Sequence, residues 1–218
     1  MTFSMDRRSV LTSLGALGVM GCSQAPATQP APQDQPARPA VAMQAFDLSA
    51  LERRNGGRLG FVALDTGTGR SLGWRGDERF VYCSTFKMYL AAATLMRVQA
   101  GQERLDRAIP ITAADMISHA PVTEPAVGSR FTGEQLMKGT VEVSDNPAAN
   151  ILLKAMGGIE PMQAFYRGLG DTSTRVDRFE PEMNRLDGDK DTITPAQSVA
   201  NIQKLFVDAT SPLTAVSQ

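Results

Sequence analysis

The sequence predicts an α+β fold, a helical domain joined to an antiparallel sheet that carries helices of its own. Three observations predict it. The segment Phe86 to Met96 is apolar on every side, which is the pattern of a helix buried in a core. Further segments at Gly133 to Glu142, Ile151 to Met156, Gly158 to Arg167 and Pro195 to Asp208 also read as helices. Ahead of these lies a hairpin signal, with Leu59 to Leu64 pairing back on Arg70 to Trp74 through the turn Thr66-Gly67-Thr68-Gly69.

From the amino end, Arg7-Arg8 precede an apolar run from Val10 to Met20 that is too short to span a bilayer in the ordinary way and reads as a targeting signal. The paired arginines fit twin-arginine export. Val19-Met20-Gly21-Cys22 resembles a bacterial lipobox, in which Cys22 is lipidated and becomes the first mature residue. A soluble product cut near Ala25-Pro26-Ala27 is the alternative. Either way the expected location is outside the cytoplasm, in the periplasm, with a possible lipid tether to a membrane. Residues 1–22 are thus the signal. Residues 23–43 form a linker with five prolines and six alanines between positions 24 and 43, semi-extended by composition. Residues 44–218 are long enough to bury the core of one ordinary domain, expected as a monomer. Within it, Gln44 to Arg54 reads as a helix stopped by Gly56-Gly57. The hairpin that follows would have an unpaired edge, a marginal structure by itself.

Composition excludes several classes. The net charge is −1 with no basic run, so nucleic-acid binding has no support. One histidine and two distant cysteines do not make a zinc site, and no metal or cofactor is expected. Cys83 reads as a small buried hydrophobe.

The chemistry concentrates in three motifs. Ser84-Thr85-Phe86-Lys87 has the S-x-x-K spacing, which places serine and lysine on one face of a helix beginning at Ser84, so that the amine points back to the hydroxyl. A serine hydroxyl needs such a base, and an ammonium must first lose its proton, which burial favours. The amino end of that helix also favours a developing oxyanion. By itself the motif is weak, recurring by chance about once in a few hundred residues, and a plain N-cap reading stays open. Sixty positions on, Ser144-Asp145-Asn146 leads into an apolar helix, with Ser144 or Asp145 as its natural cap. Asp177-Arg178-Phe179-Glu180-Pro181-Glu182-Met183-Asn184 is the third. A general-base carboxylate such as Glu180 is what the release of a stable ester requires.

Together these motifs resemble class A serine β-lactamases, over roughly residues 44–218. The resemblance implies a β-lactamase/transpeptidase-like fold and hydrolysis of penicillin-like antibiotics, with antibiotic resistance as its consequence. It gives Ser84 the role of nucleophile, Lys87 and Glu180 those of bases, and Ser144 that of proton shuttle to the departing nitrogen. Asn146 would bind the substrate amide, with Asp145 as local scaffold, and Asn184 would help to hold the hydrolytic water. Arg178 and Asp191 match the charged pair that closes the loop around the glutamate, although the stretch from Asn184 to Asp191 is two residues shorter than in the family. A cis bond before Pro181 is also implied. His119, in His119-Ala120-Pro121-Val122-Thr123-Glu124, matches an aromatic at the cleft entrance and is assigned a substrate-edge role. Cys83 sits where a carbapenemase subgroup places a disulfide cysteine, but the second cysteine is absent. The family's K-T-G is missing, and Lys138-Gly139-Thr140 is only a permuted likeness of it. The expectation is therefore a partial sequence of a longer enzyme. A noncatalytic envelope lipoprotein and a D,D-peptidase-like penicillin-binding protein are the alternatives.

Overall fold

A computed structural model describes residues 42–214, so the expected export signal, Cys22 and the expected linker up to position 41 lie outside the described residues. The amino end of the domain differs from the expected helix over 44–54. Strand β1 (Gln44–Ala45) comes first and helix α1 (Ser49–Asn55) begins only at Ser49. Two local interactions explain this. Gln44 and Ala45 pair in parallel with Leu72 and Gly73, and the Asp47 carboxylate accepts the Ser49 N–H at 2.8 Å. The expected hairpin is present as β2 (Phe61–Leu64) and β3 (Ser71–Trp74), in antiparallel register from Phe61 opposite Trp74 to Leu64 opposite Ser71. Its turn is tied by the Asp65 carboxylate, which accepts from the Gly67 and Thr68 backbones and the Thr68 hydroxyl. Because β1 covers one edge of β3, the sheet is a mixed three-stranded one in the order β1-β3-β2, not a bare hairpin.

Strand β4 (Phe80–Val81) and a 3₁₀ turn over Cys83–Thr85 lead into α2 (Phe86–Gln99), which turns off at Ala100 and the left-handed Gly101. The pair β5 (Ala108–Pro110) and β6 (Arg130–Thr132) follows and delivers the chain into α3 (Gly133–Glu142). That helix starts where its capping box sets it: the Thr132 hydroxyl accepts from Gln135 N and the Gln135 side chain accepts from Thr132 N. Helix α4 (Asn146–Ala155) begins earlier than the sequence reading, capped by Asp145 with Pro147 in its first turn. Helix α5 (Ile159–Gly168), strand β7 (Thr192–Ile193) and α6 (Pro195–Phe206) complete the described chain.

One core joins the helices. Phe86 and Leu90 of α2, Leu136 of α3, Leu153 of α4 and Met162 of α5 are fully or almost fully buried in it. The Tyr89 and Tyr166 rings meet there at 5.4 Å. Helix α3 approaches the 120s segment so closely that a Cβ on Gly139 would lie 2.6 Å from the Val122 side chain, so only glycine fits in the middle of the K-G-T triplet. The small β4–β7 ladder then does the positioning that matters most. It pairs Phe80 with Ile193 and Val81 with Thr192, tying the strand that enters the Ser84 turn to the strand that leaves the Glu180 loop.

Candidate active site

Ser84 lies exposed on the 3₁₀ turn at the head of α2, and Lys87 follows three residues later in the first turn of the helix, 2% exposed. The lysine Nζ donates to Ser84 Oγ at 3.3 Å, to Ser144 Oγ at 3.0 Å, to Ser144 O at 2.7 Å and to Asn146 Oδ1 at 2.5 Å. Glu180 Oε1 lies 3.4 Å away on the other side. An ammonium has three protons, so these five acceptors share it, and their arrangement lets a proton pass between two hydroxyls through one nitrogen. Burial lowers the Lys87 pKa below its ordinary value, while the Glu180 carboxylate opposes that shift. A buried amine held closer to neutrality beside a serine hydroxyl is the arrangement an activated nucleophile requires.

The S-D-N segment is brought to this lysine by a dense set of bonds from the 118–123 segment. Asp145, fully buried, accepts from Val122 N, Thr123 N, the Thr123 hydroxyl and Ala148 N, so it is a scaffold residue that cannot face a substrate. Asn146 gives Nδ2 to Ser118 O and its backbone N–H to His119 O. With Oδ1 taken by Lys87, one Nδ2 hydrogen is left for a ligand.

Glu180 is 2% exposed and sits after a tight loop whose Glu180–Pro181 bond is cis. Its Oε2 accepts from Asn184 Nδ2 at 2.5 Å, and apart from Lys87 its Oε1 has no hydrogen-bond partner among the described residues. The loop is closed at its base by Asp191, fully buried, whose carboxylate accepts from Asp177 N, Arg178 N and, at 2.6 Å, Arg178 Nε.

The structure thus gathers Ser84, Lys87, Ser144, Asn146, Glu180 and Asn184 into one site and pairs Arg178 with Asp191 behind it. His119 stands beside the site, its ring bonded to Val143 O at 2.9 Å. Cys83 corrects its expectation: it is an exposed free thiol, held in a left-handed conformation by the turn that presents Ser84. Sequence reasoning missed Asn150, which grips the Glu180 peptide from both sides by giving Nδ2 to Glu180 O and accepting Glu180 N. Its only signal was a buried amide in the apolar run Ala148 to Leu153. Also missed were Thr140, Val141, Ser198 and Ile202, which line the cleft of about 390 Å³ with Ser84, Lys87 and Ser144.

Fold and cluster together define a site in which an exposed serine hydroxyl, a buried lysine and a buried glutamate meet. The chain belongs to the β-lactamase enzyme family, whose model matches residues 44–213. It is 44% identical over 165 residues to the β-lactamase L2 of Stenotrophomonas maltophilia, a match covering 75% of this chain and 54% of that protein. Solved class A enzymes share its structure. An ancestral class A β-lactamase matches at 48% identity and a TM-score of 0.74, over 78% of this chain and 65% of the other. A β-lactamase from Xanthomonas campestris pv. campestris matches at 45% identity and a TM-score of 0.74, over 77% and 63%. The chain therefore spans a little over half the length of the L2 enzyme and under two thirds of these structures.

Proposed function

We propose that the site hydrolyses the β-lactam amide of penicillin-like antibiotics through an acyl-Ser84 intermediate and so confers resistance to them. Ser84 Oγ attacks the lactam carbonyl and gives up its proton to the Lys87–Glu180 side of the cluster. The ring C–N bond breaks, and Ser144 passes a proton from Lys87 to the departing nitrogen. Glu180 then takes a proton from water as the water attacks the ester, and that proton returns through Lys87 to Ser84 Oγ as the ester C–O bond breaks, which releases Ser84 and the ring-opened acid. The observation that carries this reading is that one buried Lys87 nitrogen bonds both hydroxyls while Glu180 is fixed beside it by Asn150 and Asn184. The glutamate also separates this reading from a D,D-peptidase, whose chemistry gives Glu180 and Asn184 no part.

Intact-protein mass spectrometry during incubation with a penicillin tests it. The wild-type chain should show a transient adduct on Ser84 while hydrolysed antibiotic accumulates. Glu180→Ala should hold the adduct, with its decay slowed at least about 100-fold, the usual contribution of a general base. Unchanged turnover in Glu180→Ala would overturn the glutamate's role, and folded wild type that forms neither adduct nor product would overturn the function.

We further propose that the protein is exported as a monomeric lipoprotein held through Cys22, supported by the Arg7-Arg8 and Val19-Met20-Gly21-Cys22 patterns. Cys22→Ser should move the protein from the membrane fraction to the soluble periplasm. An unchanged distribution would refute the anchor.

A further inference from the structure

We infer that His119 is a positioning residue for Ser144, acting through the peptide bond that precedes it. The inference rests on the proposed acyl-serine function for its kinetic consequence and on geometry alone for its structural one. Ser144 is held at φ 59°, a left-handed conformation that non-glycine residues adopt at a cost. Its φ is set by the orientation of the 143–144 peptide plane, and that plane carries the Val143 carbonyl. His119 Nε2 bonds this carbonyl at 2.9 Å. A carbonyl can only accept, so Nε2 carries the proton.

Every other hydrogen bond between the 118–123 segment and the S-D-N turn, among the described residues, goes to Asp145 or Asn146, on the far side of Ser144. His119 alone reaches the near side. Its own backbone carbonyl takes Asn146 N at 3.0 Å, so a single residue spans Ser144 from both flanks. Without the ring's bond, the turn is held against this strain by Lys87 on Ser144 O and Oγ and by the Asp145 N–H on Gly139 O, and the 143–144 peptide gains the latitude to let Ser144 move toward negative φ and its hydroxyl away from Lys87. His119 is itself left-handed, at φ 61°, and its ring is solvent-exposed, so this hydrogen bond, not burial, fixes the ring. The Nε2 edge of the ring is thereby turned to the Val143 carbonyl.

His119→Phe keeps a ring and removes the donor. His119→Gln restores a donor, since its amide nitrogen also lies three bonds beyond Cβ. Two readouts on the full chain are needed. Hydrogen exchange of the amides in 143–146 should quicken about tenfold in His119→Phe and return close to wild type in His119→Gln. The rate of Ser84 adduct formation with a penicillin should fall about tenfold in His119→Phe with the half-saturating penicillin concentration nearly unchanged, and recover in His119→Gln. Equal exchange in wild type and His119→Phe would overturn the inference, as would a loss confined to penicillin binding, which is the signature of a substrate-edge ring. If exchange responds as expected while wild type forms no adduct, the positioning role stands and the proposed function is what fails.

Discussion

Asn150 spends both halves of its amide on the peptide of Glu180, and this makes it the residue on which the position of the buried carboxylate depends. Glu180 is 2% exposed, so a backbone group there that loses its partner stays buried without one. Asn150→Leu matches the volume, leaves one N–H and one C=O unpaired, and should cost about 3 kcal/mol in urea unfolding. The kinetic effect should fall on the second half of the reaction. Adduct decay should slow by about tenfold or more while adduct formation changes less, because Lys87 keeps its bonds to Ser84 and Ser144. Equal slowing of both steps would mean that Asn150 supports the whole cluster. Ser84, Lys87, Ser144 and Glu180 were legible in the sequence because they fall in three motifs whose joint occurrence is specific, although S-x-x-K by itself is weak. Asn150 was not, since its partner lies thirty residues on and only the tertiary fold makes them neighbours.

The 177–191 loop depends on a single acid at its base. Asp191 sits at φ 51°, and three donors converge on its carboxylate, two from the loop's first peptides and one from the Arg178 guanidinium. Asp191→Asn tolerates the left-handed conformation and keeps one oxygen for the two peptides, but turns an NH₂ toward Arg178 Nε. The loss of that charge-assisted bond should lower stability by about 2 kcal/mol. Amide exchange should rise across 177–190 and remain at the wild-type level in α3 and α5; a rise in those helices as well would show that the variant loosens the whole fold. The same contrast between local and distant signals governs which elements the sequence revealed. Helix α3 was read to the residue, and the capping box that starts it spans only Thr132 to Gln135. The two-residue strands β1, β4 and β7 were invisible, since a period of two needs more than two residues and their partners lie 28 to 113 positions away. Helix α4 was placed too late because Asn146 and Pro147 read as loop residues, whereas Pro147 stands in the helix's first turn behind the Asp145 cap.

Across the molecule, the titrating groups divide by sign and predict a stability plateau that falls at both ends of the pH scale. Asp171 is fully buried. Burial pushes its pKa up, but bonds from Asn201, Thr174 and Ser173 outweigh this and hold it below the ordinary 3.8. Asp177 behaves alike through Arg175, and Glu52, held mainly by Arg75 and the Leu59 N–H, falls to about 2. Carboxyls depressed in the folded state contribute stability above their unfolded values and lose it as pH falls through the folded ones, so the acid decline begins near pH 4. Tyr82 and Tyr166 are raised by burial, so their contribution is present below about pH 10 and lost above it. Lys87, lowered by burial, runs the other way and softens the alkaline decline. Asp171→Asn isolates one of these contributions. Its Oδ1 still accepts from Ser173 and Thr174, while its NH₂ faces the Asn201 donor, so at neutral pH it should melt several degrees below wild type. As pH falls below 3.8, Asp171 takes up a proton in the unfolded chain first and in the folded one only at lower pH, so the wild type loses this contribution and the gap between the two melting temperatures should narrow. A gap that stayed constant from neutral to acid would show that the Asp171 charge is not what its network holds.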